Sequence, residues 1–100
     1  MDEEKLTEYC LNPLHPRGRH KAKVFETVLG IRREDAALLR RLLLDAARTE
    51  EAIAANRDEY GQRYAVDFTM KTESGEAIVR SNWIIWSGEG VPRLTSCFVR

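Results

Sequence analysis

The chain lacks most of the features that mark a specialised class of protein. It contains no Cys-x-x-Cys pair, no His-x-x-x-His pair and no acidic calcium loop, so we predict no metal site. No apolar run approaches the roughly 20 residues that a membrane-spanning helix needs. The N-terminus is acidic and has no apolar stretch behind a basic cluster, so we expect no secretory signal, no membrane contact and a cytoplasmic location.

Cysteine is scarce, since Cys10 and Cys97 are the only two. In a cytoplasmic protein, isolated thiols are usually buried as small apolar side chains and stay reduced. We therefore predict no disulfide between them.

An excess of one charge is also missing. Sixteen basic residues balance sixteen acidic ones, so the whole molecule has no general attraction to nucleic acid or to an anionic membrane. The distribution is uneven, because the segment 10–25 contains basic residues and no acid. These residues are Arg17, Arg19, Lys21 and Lys23.

The length and composition fit one globular domain. Two separate cores would each have roughly 50 residues and too little buried surface. The 43% hydrophobic and 32% charged residues are typical of a folded chain and not of a disordered one. We predict a single domain over residues 1–100.

Three segments of the N-terminal half have features of helices. The first, 6–11, is short and amphipathic and ends where Pro13 disfavours helical geometry at the residue before it. In the second, 20–29, apolar residues recur at three- and four-residue spacing before Gly30. The third begins at Glu34 and carries a stripe of leucine and alanine.

The C-terminal half is predicted to form strands. Apolar and polar residues alternate from Arg63, and 77–86 and 93–99 are rich in β-forming residues. The segment 50–56 either continues the third helix or forms an edge strand, and we favour the strand. The predicted fold is α+β, with two or three N-terminal helices packed on one face of a three- to four-stranded antiparallel meander sheet. The other face would be open to a ligand.

The loop at 12–19 concentrates groups that could handle a phosphate. His15 lies between Leu14 and Pro16, and imidazole is the side chain that most readily exchanges protons near neutral pH. The surrounding basic residues could contact phosphates at the start of the second helix. Alternatively, His15 caps the loop by a hydrogen bond and the basic residues are simply solvated.

The strands carry further candidates. Arg80 either pairs with Asp67 or Glu76 across strands or projects towards a phosphate. Ser96 could donate a hydrogen bond to a phosphoryl oxygen, and simple alternation places it and Thr95 on opposite faces. Trp83 and Trp86 also alternate, so we expect one in the core and the other exposed, where it could stack on a base.

The sequence resembles a bacterial family of uncharacterised small proteins. The resemblance is carried by Leu-Asn-Pro-Leu-His-Pro at 11–16, the Arg-Gly-Arg-His-Lys-Ala-Lys-Val-Phe that follows it, Glu-Tyr-Gly-Gln-Arg-Tyr at 59–64 and Pro-Arg-Leu at 92–94. Members share a Leu-Asn-Pro-x-His-Pro opening and occur as free-standing proteins and as C-terminal domains of large secreted polymorphic toxins. Their tryptophan-bearing strand followed by Pro-Arg is similar to the barnase, EndoU, colicin and RelE-like ribonuclease fold.

This resemblance implies helices packed on a four-stranded antiparallel sheet that cleaves RNA without a metal. The ribose 2′-hydroxyl would attack its own phosphate with acid-base assistance. Matched residue by residue, the resemblance assigns the loop histidine to His15, the helix-start lysine to Lys21, the strand arginine to Arg80 and the strand tryptophan to Trp83.

The last strand departs from that pattern. Where similar sequences have threonine, alanine, tyrosine and proline, this chain has Ser96, Cys97, Phe98 and Val99. Ser96 keeps a hydroxyl, but Phe98 loses the phenol. If the phenol is needed for catalysis, the protein binds RNA without cutting it.

The leading hypothesis is a toxin-like, metal-independent endoribonuclease or its inactive relative. In it His15 exchanges protons, Lys21 and Arg80 stabilise charge on the phosphorane, and Ser96 positions a non-bridging oxygen. The predicted substrate-binding residues are Arg17, Arg19, Lys23, Trp83 and Arg93. No cofactor is needed, and the expected partners are RNA and a cognate antitoxin or immunity-like protein. The rival hypothesis is a non-catalytic protein-interaction module of a small bacterial operon.

Overall fold

The helices precede the strands, as the spacing predicts. The computed structural model describes residues 4–100. In chain order its elements are a π-helical segment (Leu6–Cys10), α1 (Arg19–Leu29), a 3-10 turn (Arg33–Asp35), α2 (Ala36–Thr49), β1 (Ala52–Arg57), β2 (Gly61–Lys71), β3 (Glu76–Trp86) and β4 (Pro92–Val99).

Local sequence sets the ends of the two α-helices. Gly30 adopts a left-handed conformation with φ of 67° after α1, and the amides of Gly30 and Ile31 donate back to Glu26 and Phe25. This glycine-dependent arrangement satisfies the last carbonyls of the helix. Before α2, the Arg32 amide donates to the Asp35 carboxylate at 2.9 Å, so an acidic side chain fixes the entry to that helix.

The four strands form one antiparallel sheet in the order β1-β2-β3-β4. The α+β prediction is confirmed, and 52–57 is an edge strand, which decides between the two alternatives for 50–56. One sheet face is covered by the helices, and the central strand β3 contributes Val79 and Trp83 to the core. They pack with Phe25, Leu29 and Leu39 from the helices. The buried face of α2 is narrower than the pattern of leucine and alanine predicts, because Leu38 is exposed.

A bulge interrupts the pairing of β3 with β4. Asn82 pairs with Ser96, whereas the next residue, Trp83, pairs with Leu94. Thr95 is therefore the extra residue, and its hydroxyl donates to the Asn82 carbonyl at 3.1 Å. Bulges reorient side chains near the edge of a sheet. Here the bulge brings Thr95 and Ser96 to the same groove, so the prediction from simple alternation that they face opposite ways is wrong.

No helix within residues 4–100 has the length and apolar character needed to span a bilayer.

Ser81 connects two strands inside the core. Its side chain is fully buried, and its hydroxyl donates to the Val66 carbonyl at 3.0 Å while accepting the Trp83 indole N–H at 2.9 Å. Every polar group of this cluster has a partner, as a buried polar network requires.

We expect Ser81→Ala to lower the free energy of unfolding by about 1–3 kcal/mol, because the buried Trp83 N–H loses its acceptor. Urea denaturation followed by tryptophan fluorescence measures the change. Ser87→Ala, in an exposed turn, is the matched control and should stay within about 0.5 kcal/mol of wild type. Equal effects of the two substitutions would contradict the role of Ser81.

Candidate functional site

A groove of about 1210 Å³ lies between the N-terminal segment and the first half of β4. Two parts of the chain that are distant in sequence line it. The N-terminal part contributes Glu4, Lys5, Glu8, Tyr9, His15 and Arg17, and the sheet contributes Ile84, Trp86 and residues 89–96. The groove contains four of the predicted site residues, namely His15, Arg17, Arg93 and Ser96.

His15 is held by the loop that contains it. Its Nδ1 atom accepts hydrogen bonds from the backbone amides of Arg17 and Gly18, each at 3.0 Å. The loop-capping alternative for His15 is thus present in the structure. Because the Nδ1 lone pair is occupied, the proton of the neutral ring lies on Nε2. The ring is therefore fixed as a donor through Nε2–H, and it has no open lone pair with which to act as a base.

Tyr9 connects His15 to Lys21. The Tyr9 and His15 rings meet edge to face, with centroids 4.9 Å apart. The Lys21 ammonium donates to the Tyr9 hydroxyl at 3.4 Å and lies 5.1 Å from the centre of the Phe98 ring. Lys21 does not line the groove, but it donates a hydrogen bond to Tyr9, which does line it.

Gly18 permits this close packing. It is buried at the start of α1, and a Cβ at this position would collide with the carbonyl oxygen of Tyr9. Any side chain at Gly18 would therefore displace Tyr9 or the loop.

Ser96 is oriented by its neighbour on β3. The Asn82 side-chain amide donates to the Ser96 hydroxyl oxygen at 3.0 Å. The Ser96 O–H remains available as a donor to a group in the groove.

An aromatic face lies at the sheet end of the groove. Trp86 is 45% exposed, and the Arg93 guanidinium lies 4.4 Å from its ring centre, where a cation–π contact forms. Arg93 also pairs with Glu89 at 3.4 Å. Trp86 is thus the exposed tryptophan of the predicted alternating pair.

Trp83 is the core tryptophan of that pair and lies outside the groove. Its side chain is buried and its N–H bonds to Ser81, so it has no surface to offer a substrate.

Arg80 is held elsewhere on the open sheet face. Its guanidinium binds both carboxylate oxygens of Asp67, at 2.8 and 2.9 Å. Of the two predicted alternatives for Arg80, the structure therefore has the cross-strand ion pair. Arg100 also reaches Asp67, at 2.8 Å. The Arg80 hydrogen bonds lower the pKa of Asp67, and Asp67 in turn raises the pKa of Arg80.

The other predicted phosphate contacts, Arg19 and Lys23, are exposed on α1 and are not part of the groove lining. This matches the alternative in which they are solvated.

The fixed charges of the groove are balanced. Glu8 pairs with Arg33 at 2.9 Å, and Glu89 pairs with Arg93.

Within the described part of the chain, no group of three or more His, Cys, Asp or Glu residues is arranged to hold a metal ion.

A family model described as "Domain of unknown function (DUF6883)" matches residues 1–100. The chain belongs to this family. Comparison with curated proteins and comparison with solved structures each gave no match.

Sequence reasoning missed Tyr9 in this DUF6883 chain. No local pattern identifies it, because it becomes a groove residue only when the π-helical segment docks beside β4. The one available signal was the absence of a tyrosine at position 98, because another tyrosine near Lys21 could supply the same phenol.

Asp67→Asn should lower the stability of this DUF6883 domain at pH 7, because the substitution removes the acceptor of Arg80 and Arg100. The Asp67 pKa is lowered by folding, so its stabilisation is complete above the unfolded-state value of about 3.9 and is lost as the pH falls through the lower folded value. The difference in urea midpoint between Asp67→Asn and wild type should therefore shrink below pH 4 or so.

Glu76→Gln, at the other carboxylate considered for Arg80, is the control and should leave the urea midpoint unchanged at both pH values. An Asp67→Asn difference that stays constant from pH 7 to acid would contradict the ion-pair account.

Proposed function

We propose that the groove binds single-stranded RNA and that the protein is a metal-independent endoribonuclease. The observation that carries this proposal is the hydrogen bond from Lys21 Nζ to the Tyr9 hydroxyl, with His15 packed against Tyr9 in the groove that also contains Ser96. Tyr9, His15 and Ser96 present donors to one groove, and Lys21 donates to Tyr9 from outside it. A set of donors around one space is what a phosphodiester requires.

Phosphate binding is supported by the orientation of the donors. His15 presents Nε2–H because its Nδ1 is occupied, and Ser96 presents its O–H because its oxygen already accepts from Asn82. Both suit the non-bridging oxygens of a phosphate, and Arg17 adds a positive charge at the same groove. This differs from the sequence-based hypothesis, in which His15 exchanges protons.

Base binding is supported by Trp86. Its half-exposed ring lies at the sheet end of the groove, and stacking on an aromatic side chain is the common way to hold an unpaired base. Arg93, already against that ring, is placed to contact the adjoining phosphate.

The chemistry is intramolecular transesterification. The 2′-oxygen forms a bond to phosphorus as the bond from phosphorus to the 5′-oxygen breaks, and the 2′-hydroxyl proton passes to water in the open groove. Tyr9 gives its proton to the departing 5′-oxygen and regains one from Lys21, which is then reprotonated by water. The products are a 2′,3′-cyclic phosphate and a 5′-hydroxyl.

Tyr9 provides a phenol near Phe98, where the last strand lacks one. Lys21 contacts the rings of both Tyr9 and Phe98, so Tyr9 supplies a phenol beside the ring that lacks one. This supports an active enzyme over an inactive relative that binds RNA without cutting it.

A protein-interaction module is the second candidate function. The observation that favours it is the balanced charge of the groove, in which Glu89 neutralises Arg93. RNA-binding surfaces usually carry a net positive charge. The partner would then be a protein such as a cognate antitoxin or an immunity-like protein.

Purified protein should cleave total cellular RNA in excess chelator and leave 2′,3′-cyclic phosphate ends. Tyr9→Phe should reduce the rate by about a hundredfold or more, because it removes the general acid and keeps the ring. Tyr60→Phe, at an exposed tyrosine outside the groove lining, is the matched control and should retain full activity.

Two results would contradict the proposal in different ways. Intact RNA at high wild-type concentration would reject the ribonuclease and favour the interaction module. Equal cleavage rates for Tyr9→Phe and Tyr60→Phe would retain the ribonuclease and reject the proton transfer from Tyr9.

A further inference from the structure

Tyr60 extends the exposed aromatic surface beyond Trp86. Its side chain is 63% exposed, and it lies outside the groove lining. The two residues meet through the backbone, because the Ser87 amide donates to the Tyr60 carbonyl at 2.9 Å and Gly61 pairs with Trp86 across β2 and β3. Paired positions of antiparallel strands lie roughly 5 Å apart, so the two aromatic residues are neighbours at one end of the sheet.

The turn that carries Tyr60 is held by hydrogen bonds. One oxygen of the Asp58 carboxylate accepts from the backbone amides of Tyr60 and Gly61, at 2.9 and 3.3 Å, and the other accepts from Arg63 at 3.1 Å. A Cβ at Gly61 would collide with the carbonyl oxygen of Ile85, so the turn packs directly on β3. A surface that is ordered before binding loses less entropy when a ligand settles on it.

The charges of this turn do not make a phosphate site. Arg63 is paired with Asp58, and the exposed Arg57 is offset by the exposed Glu59 two residues later. What the turn offers to a ligand is therefore the face of an aromatic ring. Proteins hold successive unpaired bases by stacking them on such rings, whatever the base sequence.

We propose that Tyr60 and Trp86 form a two-ring platform that stacks neighbouring unpaired bases. The preferred substrates of the groove are then single-stranded RNA segments that continue for at least one nucleotide past Trp86. This inference rests on the RNA binding proposed above, and it is carried by the continuity of the exposed aromatic surface from the groove to the ordered turn. A duplex cannot use the platform, because its bases are already stacked and paired.

The test is the affinity of the purified protein for a single-stranded 2′-O-methyl RNA of mixed sequence, measured by fluorescence anisotropy. Tyr60→Ala should weaken binding about tenfold, because one stacked base is lost. Tyr60→Phe keeps the ring and should bind as wild type. The ratio of the wild-type and Tyr60→Ala affinities should stay constant as salt is raised, since stacking releases no counterions. Binding of the same strand annealed to its complement should not depend on Tyr60.

Ile78→Ala is the matched control. Ile78 is an exposed apolar residue of β3 outside the groove lining, and its substitution should leave RNA affinity unchanged. Urea denaturation checks that each variant folds. Tyr60→Leu, which keeps apolar volume without an aromatic face, should show the same loss as Tyr60→Ala and replaces it if the alanine variant does not fold.

The results that would overturn the platform differ from those that would reject the proposed function. Equal affinities of wild type, Tyr60→Ala and Tyr60→Leu, together with weak binding by Trp86→Ala, would reject the platform and keep RNA binding in the groove. A loss that Tyr60→Phe shares would assign the effect to the hydroxyl and also reject the platform. A wild type that binds no RNA would reject the proposed function together with the platform. If that protein also self-associates through Tyr60, the surface is a protein contact.

Discussion

The docking of the N-terminal segment against the edge of β4 determines the rest of the site. Gly18 lets the loop approach the Tyr9 carbonyl, and the Gly18 amide fixes the His15 ring. Cys10 of the same segment and Cys97 of β4 are both buried in the core. Because one segment makes these contacts, moving it would displace the groove lining. The groove is thus a tertiary feature formed from two ends of the chain.

The sheet supplies the other wall and fixes its side chains. The bulge at Thr95 brings neighbouring hydroxyls to one groove, and Asn82 orients Ser96 from the next strand. Away from the groove, Asp67 occupies Arg80 and Arg100. This division matters for function, because Arg80 and Arg100 are held at Asp67 outside the groove, whereas Arg17, Arg93 and Tyr9 line it.

The sequence predicted the fold better than it predicted the site. Periodicities of two and of three to four residues depend on local alternation, so they located the helices and strands, with 50–56 left between two alternatives. His15, Arg17, Arg93 and Ser96 were predicted and do line the groove. Tyr9 was missed because its place in the groove depends on long-range docking. The choice of Asp67 as the partner of Arg80 depended on strand register, which composition and spacing left open.

The most direct test of RNA binding in the groove uses the two indole N–H signals in a proton–nitrogen NMR titration. The ligand is a short single-stranded RNA with 2′-O-methyl groups, which cannot be cleaved through the 2′-oxygen. Trp86 is exposed at the groove, whereas the Trp83 N–H is buried on Ser81, so each protein molecule contains its own control. We predict that the Trp86 signal shifts in a saturable manner while the Trp83 signal stays in place. An unchanged Trp86 signal at saturating RNA would contradict the account.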